Sequence, residues 1–238
     1  MKYIVTGSEG FIGRHLVSRL VADGHEVTKC DSKSGMSVGE ITLDKFDGVD
    51  VVFHLAAQTS VFNTNKLSII DDNIMQFSML CDACYKLKIK LVYASSSTAN
   101  PCNTTSLYGM SKYFDEQYAS VYCPKATGVR LHNVYGPFPR QGTLLNILLE
   151  KEEVRLYNMG QNIRCFTYID DAVEGLIKAA SSQRRLVNVV NYQPVSTHYF
   201  ANLVRAKNGV KIALESEHRD MDNITQEVDT KISIVPLH

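Results

Sequence analysis

Tyr108 and Lys112 stand four residues apart in Tyr-Gly-Met-Ser-Lys, a spacing that puts both side chains on one face if the segment is helical. An ammonium beside a phenol stabilises the phenolate and draws its pKa from about 10 toward neutrality, which turns a poor base into a usable one. Twelve residues upstream of Tyr108 lies Ser96, inside the hydroxyl cluster Ser95-Ser96-Ser97-Thr98. Hydroxyls at the end of a strand are placed for chemistry, and serines also fill ordinary loops. A second chemistry sits near the N-terminus in Thr6-Gly7-Ser8-Glu9-Gly10-Phe11-Ile12-Gly13. Glycines at that spacing behind an apolar run suit a phosphate lying on backbone N–H groups.

Each of these signals has an ordinary explanation when taken alone, so the elements that position them decide. Tyr3-Ile4-Val5 reads as a buried parallel strand, followed by a glycine turn and a helix from about Gly10 carrying Leu16, Val17, Leu20 and Val21 before Gly24 stops it. Gly7 permits the tight turn, Gly10 lets backbone approach a pyrophosphate, and Gly13 lets helix pack closely on strand. The next strand, residues 25–30, ends in Asp31, where a carboxylate accepts from the adenosine ribose hydroxyls. Asp31 repels a ribose phosphate, which favours NAD over NADP, although Lys33 two residues on offsets part of that repulsion. Glu40 and Ile41, after a serine and glycine loop, are placed to close over an adenine ring. Residues 49–57 form a third strand whose end, Leu55-Ala56-Ala57, suits a cofactor passing close to backbone, with His54 expected as a satisfied core histidine.

Residues 66–88 read as one long helix with Ile70, Ile74, Phe77, Cys81 and Cys84 on its inner face and Asn73 solvated. Residues 90–94 form a fourth strand that runs out into the serine cluster, at the carboxyl edge where open α/β sheets bind ligands. A helix from Tyr108, a strand over 127–131 and a sharp exit through 132–137 follow. Beyond Phe138 the strand and helix alternation loosens. A helix over 144–150, a strand-like piece over 154–157, a helix from Asp170 or Asp171, a returning strand over 187–190 and a closing helix over 197–207 are expected. The last thirty residues are polar and weakly patterned, which suggests a short lobe with a loose tail. The fold class is therefore α/β, a Rossmann-type doubly wound parallel sheet with a small C-terminal substrate-binding lobe. Residues 1–135 make the dinucleotide-binding domain, 166–192 return to it, and 136–165 with 193–238 make the shortened lobe.

A chain of 238 residues can bury one full core, or one core with a small attached lobe. The formal charge of zero gives no reason to expect nucleic acid or an acidic membrane as partner. No cleavable apolar leader and no stretch of membrane-spanning length is visible, which points to the cytoplasm. Six cysteines at 30, 81, 84, 102, 123 and 165 follow no disulfide or zinc rhythm, so reduced thiols and no metal site are expected. Cys81 and Cys84 read as core packing on a helix.

With the glycine loop, Asp31, the serine cluster and Tyr108/Lys112 in this order, the chain resembles the extended short-chain dehydrogenase/reductase family, specifically its NAD-dependent nucleotide-sugar epimerases and dehydratases. Thr6 to Gly13 is similar to the family's TGxxGFIG loop, residues 54–57 to its HLAA strand end, and Tyr108 to Lys112 to its YxxxK pair. Arg130 to Pro137 (RLHNVYGP) and Gly160 to Asp171 (GQNIRCFTYIDD) are similar to signatures of the substrate side. The resemblance implies that Tyr108 is catalytic base and acid, that Lys112 holds the nicotinamide ribose and tunes Tyr108, and that Ser96 holds the sugar hydroxyl as it becomes a ketone. It implies Ser95 and Ser97 as neighbouring substrate contacts, Asn133 and Arg164 on the nucleotide diphosphate, and Leu156 and Tyr157 flanking the base. NAD is then the cofactor, Gly7, Gly10, Phe11, Ile12, Gly13, Asp31, Glu40, Ile41, Leu55, Ala56 and Ala57 joining Tyr108 and Lys112 around it. Relatives dimerise through two helices per subunit, here those near 66–88 and 108–122.

The chain departs from the pattern where Ala99-Asn100-Pro101 replaces the usual Val-Tyr-Gly, and in shortened segments after Asp31, before Tyr108 and in the C-terminal lobe. The serine cluster lacks the Asp-Glu pair that 4,6-dehydratases carry and the glutamate of decarboxylating relatives. The resemblance thus implies a 4-epimerase of a UDP-sugar, with a keto-sugar reductase or dehydratase, or a non-catalytic NAD-binding protein, as alternatives.

Overall fold

The computed structural model describes residues 1–59, 65–99, 106–217 and 228–236. The chain runs through β1 (Lys2–Thr6), α1 (Phe11–Ala22), β2 (Glu26–Cys30), β3 (Val51–His54), α2 (Lys66–Ile69), a π-turn (Ile70–Met75), α3 (Gln76–Leu87), β4 (Lys90–Ser96) and α4 (Leu107–Tyr122). It continues as β5 (Thr127–Leu131), β6 (Val134–Tyr135), α5 (Leu144–Glu150), β7 (Glu153–Leu156), β8 (Ile163–Cys165), β9 (Thr167–Tyr168), α6 (Ile169–Ala180), β10 (Leu186–Val189), β11 (Pro194–Ser196), α7 (Thr197–Asn208) and β12 (Lys211–Leu214).

Six strands make one all-parallel sheet in the order β2-β1-β3-β4-β5-β10. The chain leaves β1 for β2 on one side and returns to β3 on the other, so the strand order reverses at β1. Ligands of such sheets bind in the crevice at the carboxyl ends of the strands flanking that reversal. Side chains alternate across the sheet: Tyr3 and Val5 enter a cluster with α1 and α6, while Ile4 enters another with α3 and α4. Helices on both faces explain why the strands read as continuous apolar runs instead of alternating ones. Each fully buried aliphatic side chain in these clusters contributes about 1.5–3 kcal/mol.

The segment over 66–88 differs from the single regular helix expected. Its π-turn adds a residue to one turn and shifts the helical phase. Ile69 and Asn73 are buried with 1% and 0% exposure, while Ile70 is 41% exposed and Ile74 half-buried. From Phe77 onward the expected inner face holds, with Cys81 and Cys84 packed in the core. Asn73 is therefore a buried residue and not a solvated one.

Outside the main sheet, β7 pairs parallel to β12 and β8 antiparallel to β11, and a third apolar cluster gathers there with helices α5 and α7. Phe166 and Phe200 stack there at 3.9 Å between centroids, and Tyr135 meets both edge-on. The loose tail expected at the C-terminus is corrected for residues 228–236. Asn188 donates its N–H to Ser233 (2.8 Å) and accepts from Val235 (2.9 Å), so this segment docks on β10, the edge strand, and Val235 enters the core. Unpaired backbone groups of an edge strand favour such a cover. The rest of that expected tail, and the Asn100, Pro101 and Cys102 readings, lie outside the described residues. Among the described residues no helix is long and apolar enough to cross a membrane, and no cluster of three or more His, Cys, Asp and Glu could hold a metal.

Candidate active site

Between β1 and β3 the backbone approaches itself so closely that only glycine fits. Gly7 has φ +67°, and a Cβ on it would stand 2.6 Å from the Ala56 nitrogen. A Cβ on Gly13 would stand 2.0 Å from the Gly7 carbonyl oxygen, so the loop lies directly on the first turn of α1. That helix has no side-chain N-cap, which leaves its first N–H groups for water or an anion. The Ser8 hydroxyl beside them is buried with no partner among the described residues. Asp31 closes the cradle: its Oδ2 accepts from the Glu9 N–H (3.0 Å) and its Oδ1 from the Lys33 N–H (2.9 Å), and each oxygen keeps capacity for a further donor. A cradle of glycine backbone, free helix N–H groups and a carboxylate fits a pyrophosphate and a ribose.

Other expected cofactor residues surround this cradle in different ways. The Phe11 and Ile12 side chains pack on the core, so what they offer a ligand is backbone. Leu55, Ala56 and Ala57 are half-buried just past β3. Glu40 is exposed and accepts from the Ser37 N–H at 2.6 Å in a capping box, while Ile41 packs against the core.

At the carboxyl end of β4 the serines diverge. Ser95 is buried and donates to Glu116 Oε1 at 2.5 Å; Glu116 in turn accepts from Arg130 Nε (2.8 Å) and Nη2 (2.7 Å). Ser95 is thus committed to an inward ion-pair network, and not to a substrate, in this structure. Ser96 bonds the Thr98 hydroxyl at 2.8 Å and accepts from the Thr98 N–H at 3.1 Å, forming a tight hydroxyl turn. Ser97 is half-buried, its N–H bonded to the Leu131 carbonyl.

Helix α4 packs against β4 and starts where Ser106 caps it, its Oγ accepting from the Gly109 N–H at 3.1 Å. That cap makes Tyr108 the second helical residue, half-buried at the helix mouth. One turn on, the Lys112 ammonium is buried and donates to Asp115 Oδ2 at 3.0 Å. His54, at the end of β3, bonds Thr6 Oγ1 through Nδ1 at 2.8 Å. Burial first and the Lys112 ammonium second push its pKa down to about 3, so the imidazole stays neutral. Its Nε2 has no partner among the described residues, so His54 is a core histidine satisfied on one side only.

Asn73 is the site residue that sequence periodicity misses. Its Oδ1 accepts from the Gln58 N–H (2.7 Å), and its Nδ2 donates to the Gln58 carbonyl (3.0 Å) and to Ser111 Oγ (2.9 Å). Ser111 then donates to the Tyr108 carbonyl at 2.8 Å. This chain of bonds ties the mouth of α4 to the loop after β3, and the π-turn is what aims Asn73 inward. A polar residue one position from the expected apolar face was the available signal.

Of the residues expected on the nucleotide diphosphate, Asn133 has φ +34° and donates through Nδ2 to the Cys165 carbonyl at 3.2 Å, which brings it to the residue next to Arg164. Arg164 is half-buried, one Nη donating to the Ile163 carbonyl at 2.8 Å. Leu156 is buried in the third apolar cluster, and Tyr157 is half-buried beside it.

The pattern of the NAD dependent epimerase/dehydratase family matches residues 3–192. A UDP-N-acetyl-alpha-D-glucosaminuronate decarboxylase of Bacillus cytotoxicus is 31% identical, over 74% of this chain and 70% of its own length. A putative UDP-glucose 4-epimerase of Methanocaldococcus jannaschii is 26% identical, over 87% of this chain and 83% of its own. Among solved structures, MoeE5 in complex with UDP-glucuronic acid and NAD superposes with a TM-score of 0.84 at 25% identity, covering 99% of this chain and 90% of that one.

Proposed function

Because the chain belongs to the NAD dependent epimerase/dehydratase family, we propose that it is a nucleotide-sugar 4-epimerase acting on a UDP-sugar through a transient 4-keto sugar. NAD is the cofactor. What it supplies when bound is a reversible acceptor for the hydride on the sugar carbon. Gly7, Gly10 and Gly13 give the pyrophosphate its backbone seat and Asp31 takes the adenosine ribose hydroxyls. The Tyr108 phenolic oxygen takes the proton of the 4-hydroxyl as that carbon becomes a ketone and returns it when the hydroxyl re-forms. Ser96 Oγ holds the same oxygen in both forms, and the Lys112 ammonium favours the phenolate. Asn133 and Arg164 hold the nucleotide diphosphate. The ketone turns within the pocket between the two half-reactions, which inverts the centre.

One observation carries the choice of epimerisation over water elimination. Elimination needs a second acid and base beside the sugar. The two carboxylates that α4 brings to Ser95 and Lys112 are engaged: Glu116 is bound to Arg130 and Ser95, and Asp115 to Lys112. The complex of MoeE5 with UDP-glucuronic acid supports a UDP-sugar as substrate. Exposed Met75, Met79, Met110 and Phe114 on the π-turn, α3 and α4 support a homodimer through those helices. The free cysteines among the described residues fit a reducing cytoplasm.

The test is proton NMR of the purified protein with NAD and a panel of UDP-sugars, following the anomeric signals. A new epimer at constant NADH is expected. Net NADH consumption with a keto-sugar would replace the epimerase by a reductase, and no reaction with any sugar despite NAD binding would remove the catalytic reading.

A further inference from the structure

We propose that Asp115 is a positioning residue of the reaction: its carboxylate anchors the Lys112 ammonium, leaving the other N–H groups of that ammonium for the dinucleotide and for Tyr108. The proposal rests on the role given to Lys112 above. Both residues are buried, Lys112 with 2% and Asp115 with 0% exposure, and Nζ lies 3.0 Å from Oδ2. They stand on the face of α4 that also carries Tyr108 and Glu116, at intervals of three and four residues. An ammonium has three donors, and one is spent on Asp115. Its stem is a flexible chain of four carbons, so a fixed counter-charge decides where the charge sits. A charge so far from water is expensive without one.

Two features separate this pair from a bridge kept for stability. Asp115 Oδ1 is buried with no hydrogen bond among the described residues, an exception to the pairing of most buried polar atoms. Burial, opposed by Lys112, raises the Asp115 carboxyl to about 6. A carboxyl raised by folding adds stability that is fully present below about pH 4 and lost as the pH climbs through about 6. Above about pH 6 the ionised carboxylate stands beside the ammonium, on the helix face that carries Tyr108. A perturbed carboxylate in such a place is a mark of function.

The charged and titratable groups that face the pair come from neighbouring elements and from α4 itself. From β3 comes His54, pushed down to about 3 by burial and by Lys112. From β4 comes Tyr93, raised well above its ordinary value by burial and then Glu116 and Asp115. Glu116, on the same helix, is held by Arg130 of β5. The π-turn brings Asp71, bonded to Gln76, and Asp72, bonded to Gln58 and Gln76. Helix α3 brings Asp82, bonded to Tyr118, and the Cys81 thiol, raised by its contact with Cys123 and by burial.

The experiment is a fluorescence titration of the full chain with NADH, without sugar, from pH 5 to 8, on the wild type and Asp115→Asn. The wild type should bind more weakly as the pH falls through about 6. At pH 7.5 the variant should bind roughly five- to tenfold more weakly than wild type, since a neutral acceptor replaces a charge-assisted one. Its profile should show no inflection near 6, and at pH 5, where the wild-type carboxyl is neutral too, the two affinities should converge. A lowered urea midpoint is expected, because the Lys112 ammonium is left without its counter-charge. A flat wild-type profile overturns the proposal and needs no variant. Unchanged affinity in Asp115→Asn overturns it, as does a loss of affinity as large at pH 5 as at pH 7.5, which would mark a structural defect only. Because NADH binding is read without sugar, an inactive protein with the expected profile would sink the epimerase reading alone.

Discussion

Replacing Glu116 with Gln should destabilise the protein by about 3 kcal/mol, a large part of the 5–15 kcal/mol that holds a typical domain. Glu116 takes two bonds from Arg130, at 2.8 and 2.7 Å, and one from Ser95, at 2.5 Å. Its side chain is 5% exposed and that of Arg130 is 10% exposed, so water cannot replace what is lost. An amide accepts through one oxygen only and turns a donor toward the guanidinium. Removing one partner of such a buried pair costs about 3–5 kcal/mol, mostly because the other charge stays behind. Asp229, 3.7 Å from Arg130 and 44% exposed, offsets a part of this, which places the expectation at the low end. The assay is urea unfolding followed by circular dichroism at pH 7.5. A double variant, Glu116→Leu with Arg130→Met, should lose less than Glu116→Gln alone, since no charge is then stranded. A loss below about 1 kcal/mol in Glu116→Gln would refute the claim that this network holds the end of β4 to α4.

Gly13→Ala would set a methyl 2.0 Å from the Gly7 carbonyl oxygen, so NADH affinity should fall at least roughly tenfold, costing 1–3 kcal/mol of strain; fluorescence titration measures it, and unchanged affinity would show that the loop yields. Tyr108→Phe keeps the ring and removes the proton carrier, so turnover should fall by about 10²–10⁴ while the NADH dissociation constant stays put; unchanged turnover removes Tyr108 from the mechanism. Met79→Glu puts a charge on a side chain that is 59% exposed on α3 and should convert a dimer to monomer by light scattering, whereas a wild type already monomeric at working concentration would reject the interface.

Much of this protein is determined locally and can be read in the sequence. The glycine loop is legible because φ +67° at Gly7 and contact between backbones at Gly13 admit no other residue. The parallel strands are legible as apolar runs, and α5 and β5 begin and end where their patterns do. Helical spacing puts Tyr108 and Lys112 on one face of α4, and only their order after the glycine loop, Asp31 and the serine cluster singles them out. What the sequence could not decide are the partners that side chains choose across the fold. Ser95 and Ser96 are adjacent and chemically identical, yet the pleat and the position of Glu116 turn one into an internal bond and leave the other in a hydroxyl turn at the strand end. Asn73 departs from the helical period because a π-turn shifts the phase of its turn and carries it inward. Helical spacing offers Lys112 both Tyr108 and Asp115, and only the burial of this face decides that the ammonium bonds Asp115. The docked segment over 228–236 depends on an edge strand forty residues earlier having groups left to bond. Backbone sterics and hydrophobic period act over a few residues and are written in them; hydrogen-bond partners and buried charge depend on which distant elements the fold brings together.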